Sequence, residues 1–281
     1  LFRICTLPPL KLAGFTLKID TLAKGDIPHL NALQPDGWLP IVPYFEFYFT
    51  SSFCNPVKCV INDRIAGIGS AIAHRCTGWL AHIIVDKDFR RQGIGMAITK
   101  TLMDFLETSR RVKTLNLVST PMGEPLYHRL GFRRVSDYLF LRGGQTPPEK
   151  EAAIENFDRS FKHAGLEMDY YATSEDRREL LEPHWKNACF IRTGGQLTGF
   201  FMPTLGEGFV LASSHESGLA LLRKKHCNGQ LGVIPEGNQQ AVRYMHDHGF
   251  SEYRRGIRMF FGQTLQWRPE MIYGRVGGNL G

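Results

Sequence analysis

The chain has 281 residues, 43% of them apolar and 22% charged, with a net charge of +7. That balance excludes a disordered or collagen-like chain and supplies enough apolar material for one large domain or two ordinary ones. The Lys and Arg residues are scattered rather than gathered into a stripe, so the charge points to a small anionic ligand and away from nucleic acid.

No apolar run reaches the roughly 20 residues of a membrane span. Leu1 to Pro9 has no cleavable signal pattern, so a cytoplasmic protein without membrane attachment is expected. Cys5, Cys54, Cys59, Cys76, Cys189 and Cys227 form no Cys-x-x-Cys pair and meet no His pair at zinc spacing. Reduced thiols and no metal are therefore expected.

In chain order, Phe15 to Ile19 alternates apolar and polar and predicts a strand. Asp26 to Leu33 predicts a short helix, and Pro35-Asp36-Gly37 a turn. Trp38 to Phe53 is dense in aromatic residues, with Pro40 and Pro43 keeping its first part from regular helix. Two readings stand there: a helix with aromatic core filling, or one wall of a substrate pocket.

Lys58 to Ile61 and Ile65 to Ala73 predict two strands around the turn Asn62-Asp63-Arg64, and Gly78 to Val85 a third. Gly93 to Glu107 predicts a helix, with Ile94, Ile98, Leu102 and Phe105 on one face. Lys113 to Val118 reads as a strand. A helix opened by Pro121 and stopped at Gly131 follows, then a strand from Phe132 to Leu141. This order predicts an α/β layer with a mixed sheet.

Gln145 to Glu151 is the best linker candidate. Beyond it the pattern recurs. Ser217 to His226 echoes the glycine-led helix, Leu231 to Ile234 the strand after it, and Asn238 to Phe250 the stretch from Thr120 to Phe132. The second half thus reads as a diverged copy of the first. Tyr273 to Gly281 is glycine-rich and reads as a tail or turn.

The chemistry centres on the stretch from Ile83 to Met96. A strand end, Ile83-Ile84-Val85, gives way to a polar turn carrying Arg90 and Arg91, and a helix opens on Gly93 and Gly95. Glycines let backbone N–H groups approach a ligand, and a helix start leaves its N–H groups unpaired. With the helix dipole these suit a phosphate. The dinucleotide fingerprint is excluded because Ile98 replaces its third glycine, and no Gly-Lys-Ser/Thr follows as a Walker loop needs.

Arg90-Arg91-Gln92-Gly93-Ile94-Gly95 behind an apolar strand, followed by Leu126-Tyr127-His128-Arg129-Leu130-Gly131-Phe132 about one strand and one helix later, resembles the GNAT superfamily of N-acetyltransferases. The resemblance is clear over residues 15 to 142 and weaker over 155 to 262. It implies tandem GNAT-like modules, each a mixed, mostly antiparallel sheet flanked by helices. These would be a catalytic module at 1–145, a linker at 146–151 and a degenerate module at 152–281.

The resemblance also implies acetyl-CoA or another acyl-CoA as co-substrate. Its pyrophosphate would sit on the amides of Arg91, Gln92, Gly93, Ile94, Gly95 and Met96, with Arg90 adding charge. Its pantetheine arm would add like a strand to Ile83, Ile84 and Val85, and Thr120 would stand where many members carry an Asn. Tyr127 matches the tyrosine that protonates the leaving thiolate.

A general base is harder to assign. The positions that carry it in some members are Trp79 and Ala81 here, neither of which accepts a proton. His82 has the opposite strand parity and should face away. Glu46, Asp36 or a water remain as alternatives. The second copy lacks the arginines and second glycine, and Met245 replaces the tyrosine, although Asn238 matches the Asn position. The expected function is acetyl transfer from acetyl-CoA to a primary amine, on a small metabolite or amino acid, by direct attack in a ternary complex. The alternative is a non-catalytic acyl-CoA sensor. Nothing in the sequence fixes the oligomeric state.

Overall fold

The computed structural model describes residues 10–12, 15–147, 154–229 and 231–281, with the side chains of residues 10–12, 15 and 16 left aside. Cys5 and residues 148–151 of the expected linker lie outside the described residues. By compactness the chain divides into residues 1–116 and 117–281. The boundary expected at 145–151 falls inside the second unit.

The first unit opens with the strands β1 (Leu10–Leu12) and β2 (Phe15–Thr21). A 3-10 helix over Lys24–Leu33 and helix α1 (Val42–Thr50) follow. Pro43 does not hold off regular helix as expected. It sits in the first turn of α1, where its missing N–H costs nothing. Strands β3 (Cys54–Ile61), β4 (Arg64–His74) and β5 (Thr77–Val85) then form an antiparallel meander. Asn62 and Asp63 take φ of 48° and 60° between β3 and β4, the left-handed pair that a tight hairpin requires.

Helix α2 (Ile94–Asp104) runs on into a π-helical turn at Phe105–Ser109. Its expected apolar face is the buried one: Ile94, Ile98, Leu102 and Phe105 are 0 to 5% exposed. It can lie this close to the sheet because β4 carries glycines beneath it. A Cβ on Gly69 would stand 2.8 Å from Ile83 Cδ1 and 2.9 Å from Ile98 Cγ2. Strand β6 (Thr114–Ser119) pairs parallel with β5, so the sheet is mixed as expected. That pairing covers only Thr77–Trp79 against Thr114–Asn116. Among the described residues, the later part of β5 has no strand partner on that side.

The second unit holds α3 (Glu124–Arg129) and β7 (Arg133–Arg142). Pro121 does not open this helix. Pro125, one residue inside it, takes that role. Next come β8 (Ile154–Asn156), α4 (Lys162–Thr173), α5 (Arg178–Leu181), β9 (Cys189–Thr193), β10 (Gln196–Met202) and β11 (Phe209–Ala212). Helix α6 (His215–His226), β12 (Gly232–Pro235), α7 (Gln239–Asp247), β13 (Ser251–Gly262) and β14 (Ile272–Gly274) complete the chain.

Strand β7 is antiparallel to both β12 and β13, and so stands between two strands of the second half. A separate sheet has the order β14-β11-β10-β9-β8. Its core joins Phe201, Val210, Leu221, Ile234, Met245 and Phe250. A buried Arg177–Asp169 ion pair lies in this unit, both side chains at most 2% exposed.

The repeat read from the sequence has a local structural counterpart. The order β9-β10-β11-α6-β12-α7-β13 matches β3-β4-β5-α2-β6-α3-β7. The ends of α3 and α7 agree bond for bond. Gly131 and Gly249 have φ of 87° and 82°, Phe132 N donates to Tyr127 O at 3.0 Å, and Phe250 N to Met245 O at 3.1 Å. His128 Nδ1 and His246 Nδ1 each donate to the carbonyl of the following Phe.

Candidate functional site

The turn between β5 and α2 is built from local constraints. Asp86 accepts from Asp88 N at 2.9 Å and tightens the exit from β5. Arg90 Nε donates to Val85 O at 3.2 Å and closes the loop. Arg91 and Gly93 take φ of 62° and 81°, and Gly93 is the N-cap of α2 without any side-chain cap. Gly93 O accepts from Ala97 N, the first N–H of α2 that is paired. Among the described residues, no acceptor meets the N–H groups of Arg91, Gln92, Gly93, Ile94, Gly95 or Met96. N–H groups left bare in this way are able to receive an anion.

The strand that feeds this turn is irregular. Ile68 pairs with Ile84 and Ser70 with Ala81, so His82 and Ile83 together oppose the single residue Gly69. His82 has φ of 47°. This β-bulge overturns the parity argument, because one extra residue and a left-handed backbone re-aim the side chain. Ile83 turns towards Ile98 and Leu102 over Gly69, and His82 turns to the aromatic residues around α1. The sequence Ala81-His82-Ile83-Ile84 gives no sign of it, since neither Gly nor Asn marks the left-handed position.

His82 sits in an aromatic enclosure. Its ring centroid lies 4.9 Å from Tyr44, 5.7 Å from Tyr48, 5.9 Å from Phe45 and 6.0 Å from Trp38. Its Nδ1 and the Tyr48 hydroxyl share a hydrogen bond of 2.7 Å. Burial lowers its pKa to about 4, so the imidazole is neutral at physiological pH. Trp79 and Ala81 are buried, while Glu46 and Asp36 are exposed. Of the base candidates named from the sequence, His82 alone is enclosed. The aromatic stretch supplies core filling through Phe45 and Tyr48, which are fully buried, whereas Trp38 and Phe49 keep 36% and 39% of their surface.

In the second unit, Tyr127 is half-buried on α3, its ring edge-on to Phe132 at 5.8 Å. Burial raises its pKa above the ordinary 10, so it is a neutral phenol that can donate but does not ionise. Thr120 Oγ1 accepts from Gly123 N at 3.2 Å, which leaves its own proton free to donate. The turn and the bulge belong to the first unit, and Tyr127 and Thr120 to the second.

Burial raises Cys54, and pushes Cys59 up to about 12, so both stay protonated. Among the described residues there is no cluster of His, Cys, Asp and Glu that could hold a metal ion. No described helix is long and apolar enough to cross a membrane.

Residues 52–144 match the family model of the acetyltransferase (GNAT) domain. The chain thus carries a GNAT acetyltransferase domain over residues 52–144. Its fold is similar to that of a proposed acetyltransferase from Pyrococcus horikoshii, at TM-score 0.81 and 21% identity over 97% of this chain and 98% of that one. It is also similar to a GCN5-related N-acetyltransferase from Sphaerobacter thermophilus, at TM-score 0.61 and 15% identity over 89% and 98%. A comparison with curated proteins found no match.

Proposed function

We propose that this protein transfers an acetyl group from acetyl-CoA to a primary amine of a small metabolite or amino acid, by direct attack within a ternary complex. The observation that carries the reading is the bare row of N–H groups from Arg91 to Met96. It directly follows a strand whose last residues, among the described residues, lack a strand partner on one side. A pyrophosphate satisfies the first feature, and an extended arm bearing amides satisfies the second. In this reading Arg90 adds charge, Ile83, Ile84 and Val85 receive the pantetheine, and Thr120 contributes a hydroxyl. The catalytic module is 1–145, joined through 146–151 to a degenerate module at 152–281, in a cytoplasmic protein without metal.

The pKa directions refine the roles. A phenol held above 10 does not hand its proton completely to a thiolate whose own pKa is about 8.5. Tyr127 therefore acts on the departing sulfur chiefly as a hydrogen-bond donor, stabilising charge as it develops. A histidine with pKa about 4 cannot deprotonate an ammonium near 10. The amine thus attacks in its neutral form and loses its proton to water, with His82 as a neutral hydrogen-bonding anchor.

A second reading, an acyl-CoA sensor without turnover, is favoured by Trp79 and Ala81 at the positions where a base would stand. Thiol release from acetyl-CoA across a panel of primary amines separates the two. Release with at least one amine, slowed in Tyr127→Phe, supports transfer. Binding without release from any amine supports the sensor.

A further inference from the structure

The two halves repeat the same elements, but they treat one place differently. In the first copy β5 and β6 pair briefly and then part. In the second copy their counterparts, β11 and β12, belong to different sheets and do not pair with each other. Strand β14 occupies the space between them. It is antiparallel to β11, with Val210 opposite Gly274 and Leu211 opposite Ile272. On its other side Arg275 N reaches Val233 O of β12 at 3.5 Å.

We infer that residues 270–281 are a built-in occupant of the second copy's cleft, closing it to any acyl-CoA, so that the chain binds one acyl-CoA and not two. Every element lining the cleft engages this segment. Asn238 Nδ2 donates to Glu270 O and Ile272 O, both at 3.0 Å, while its Oδ1 caps α7 through Ala241 N. The amide that matched a cofactor position in the sequence is thus spent on the protein's own backbone.

The Tyr273 ring lies on Gly218 in the first turn of α6, where an added Cβ would stand 2.1 Å from the ring, and its hydroxyl is 3.1 Å from His215 Nδ1. Glu207 N donates to Val276 O at 2.8 Å, and its carboxylate accepts from Arg275 Nε and Nη2, each at 2.8 Å. The Arg275 guanidinium also lies over the rings of Tyr138 and Phe140. Tyr273, Arg275, Val276 and Leu280 are all 5% exposed or less, so this stretch is no loose tail, and its expected turn, at residues 278–280, closes a buried segment.

The start of α6 is the counterpart of the anion turn, and it is built the opposite way. Ser214 caps it with its hydroxyl, accepting from Ser217 N at 3.2 Å, and Ser214 O accepts from Gly218 N. Glu216 places a negative charge in the first turn. Ser217 N, the counterpart of the bare Met96 N, is thus paired here, and a phosphate would meet a carboxylate.

Naming the excluded ligand as acyl-CoA rests on the proposed function. The occupancy of the cleft does not, and the test separates them. Hydrogen exchange on the full chain without ligand should show the Ile272–Gly274 amides as slow as those of Phe209–Ala212. Gly218→Ala, which puts a methyl group into the Tyr273 ring, should speed exchange at 272–274 and leave β9 unchanged. Equilibrium dialysis with acetyl-CoA should show one equivalent bound, its affinity lowered about tenfold or more in Gly93→Val. Three results would overturn the inference: 272–274 exchanging like an unstructured segment, their exchange speeding up when acetyl-CoA is added, or two equivalents bound. A chain that binds no acetyl-CoA but shows the protected segment would refute the proposed function and leave the occupant standing.

Discussion

Replacing His82 by Asn removes the imidazole while keeping a residue that tolerates the left-handed backbone at φ of 47°. The wild-type pKa is about 4 in the folded chain, against an ordinary value of 6.5, because burial among Tyr44, Phe45 and Tyr48 disfavours the charged form. Between these values the unfolded chain binds the proton and the folded chain does not, so folding stability falls as pH falls from 6.5 towards 4. Above about pH 7.5 the group is neutral in both states and contributes almost no slope. At pH 4.5 the loss specific to His82 amounts to about 2.5 kcal/mol. Denaturant midpoints at pH 8.5, 7.5, 6.5, 5.5 and 4.5 should therefore drop more steeply for the wild type than for His82→Asn, and the two curves should run parallel above about 7.5. Parallel curves across the whole range would refute the burial argument. A variant steeper than the wild type would place a charged histidine in the fold.

Gly93→Val forces a branched side chain onto φ of 81°, costing about 1–2 kcal/mol of backbone strain, and withdraws the turn from its ligand. Acetyl-CoA affinity measured by calorimetry should fall by about tenfold or more. Tyr127→Phe should lower kcat by about a hundredfold with the KM for acetyl-CoA little changed, as removal of a donor to developing charge does. Gly69→Val places atoms within 2.9 Å of Ile83 and Ile98 and should cost about 1–3 kcal/mol by overpacking, read as a lower melting temperature. Asp169→Ala strands the buried Arg177 and should cost about 3–5 kcal/mol in denaturant unfolding.

The parts of this molecule that were legible in the sequence are those fixed by short-range rules. The face of α2 follows from a 3.6-residue period, the hairpin at Asn62-Asp63 from residues that accept positive φ, and the helix stops at Gly131 and Gly249 from glycine. The uncapped start of α2 was legible for the same reason: Gly93 accepts the positive φ at its N-cap. What escaped depends on distant partners. The bulge at His82 is set by pairing with β4, and strict alternation predicted the wrong face. The segment after Ile272 looks like a glycine-rich tail until β11, β12 and Asn238 are placed around it, because its hydrogen bonds go to residues 30 or more positions away. Pro121 and Pro125 were equally able to open a helix, and the Thr120 hydroxyl, by accepting from Gly123 N, selected the later start.

The central claim is that one turn, Arg91 to Met96, holds the acyl donor. A crystal structure of the full chain with CoA tests it most directly. The account predicts a pyrophosphate on the N–H groups of Arg91 to Met96 and residues 272–274 still paired to β11. CoA seated instead at the first turn of α6, with Tyr273 displaced from Gly218, would contradict it.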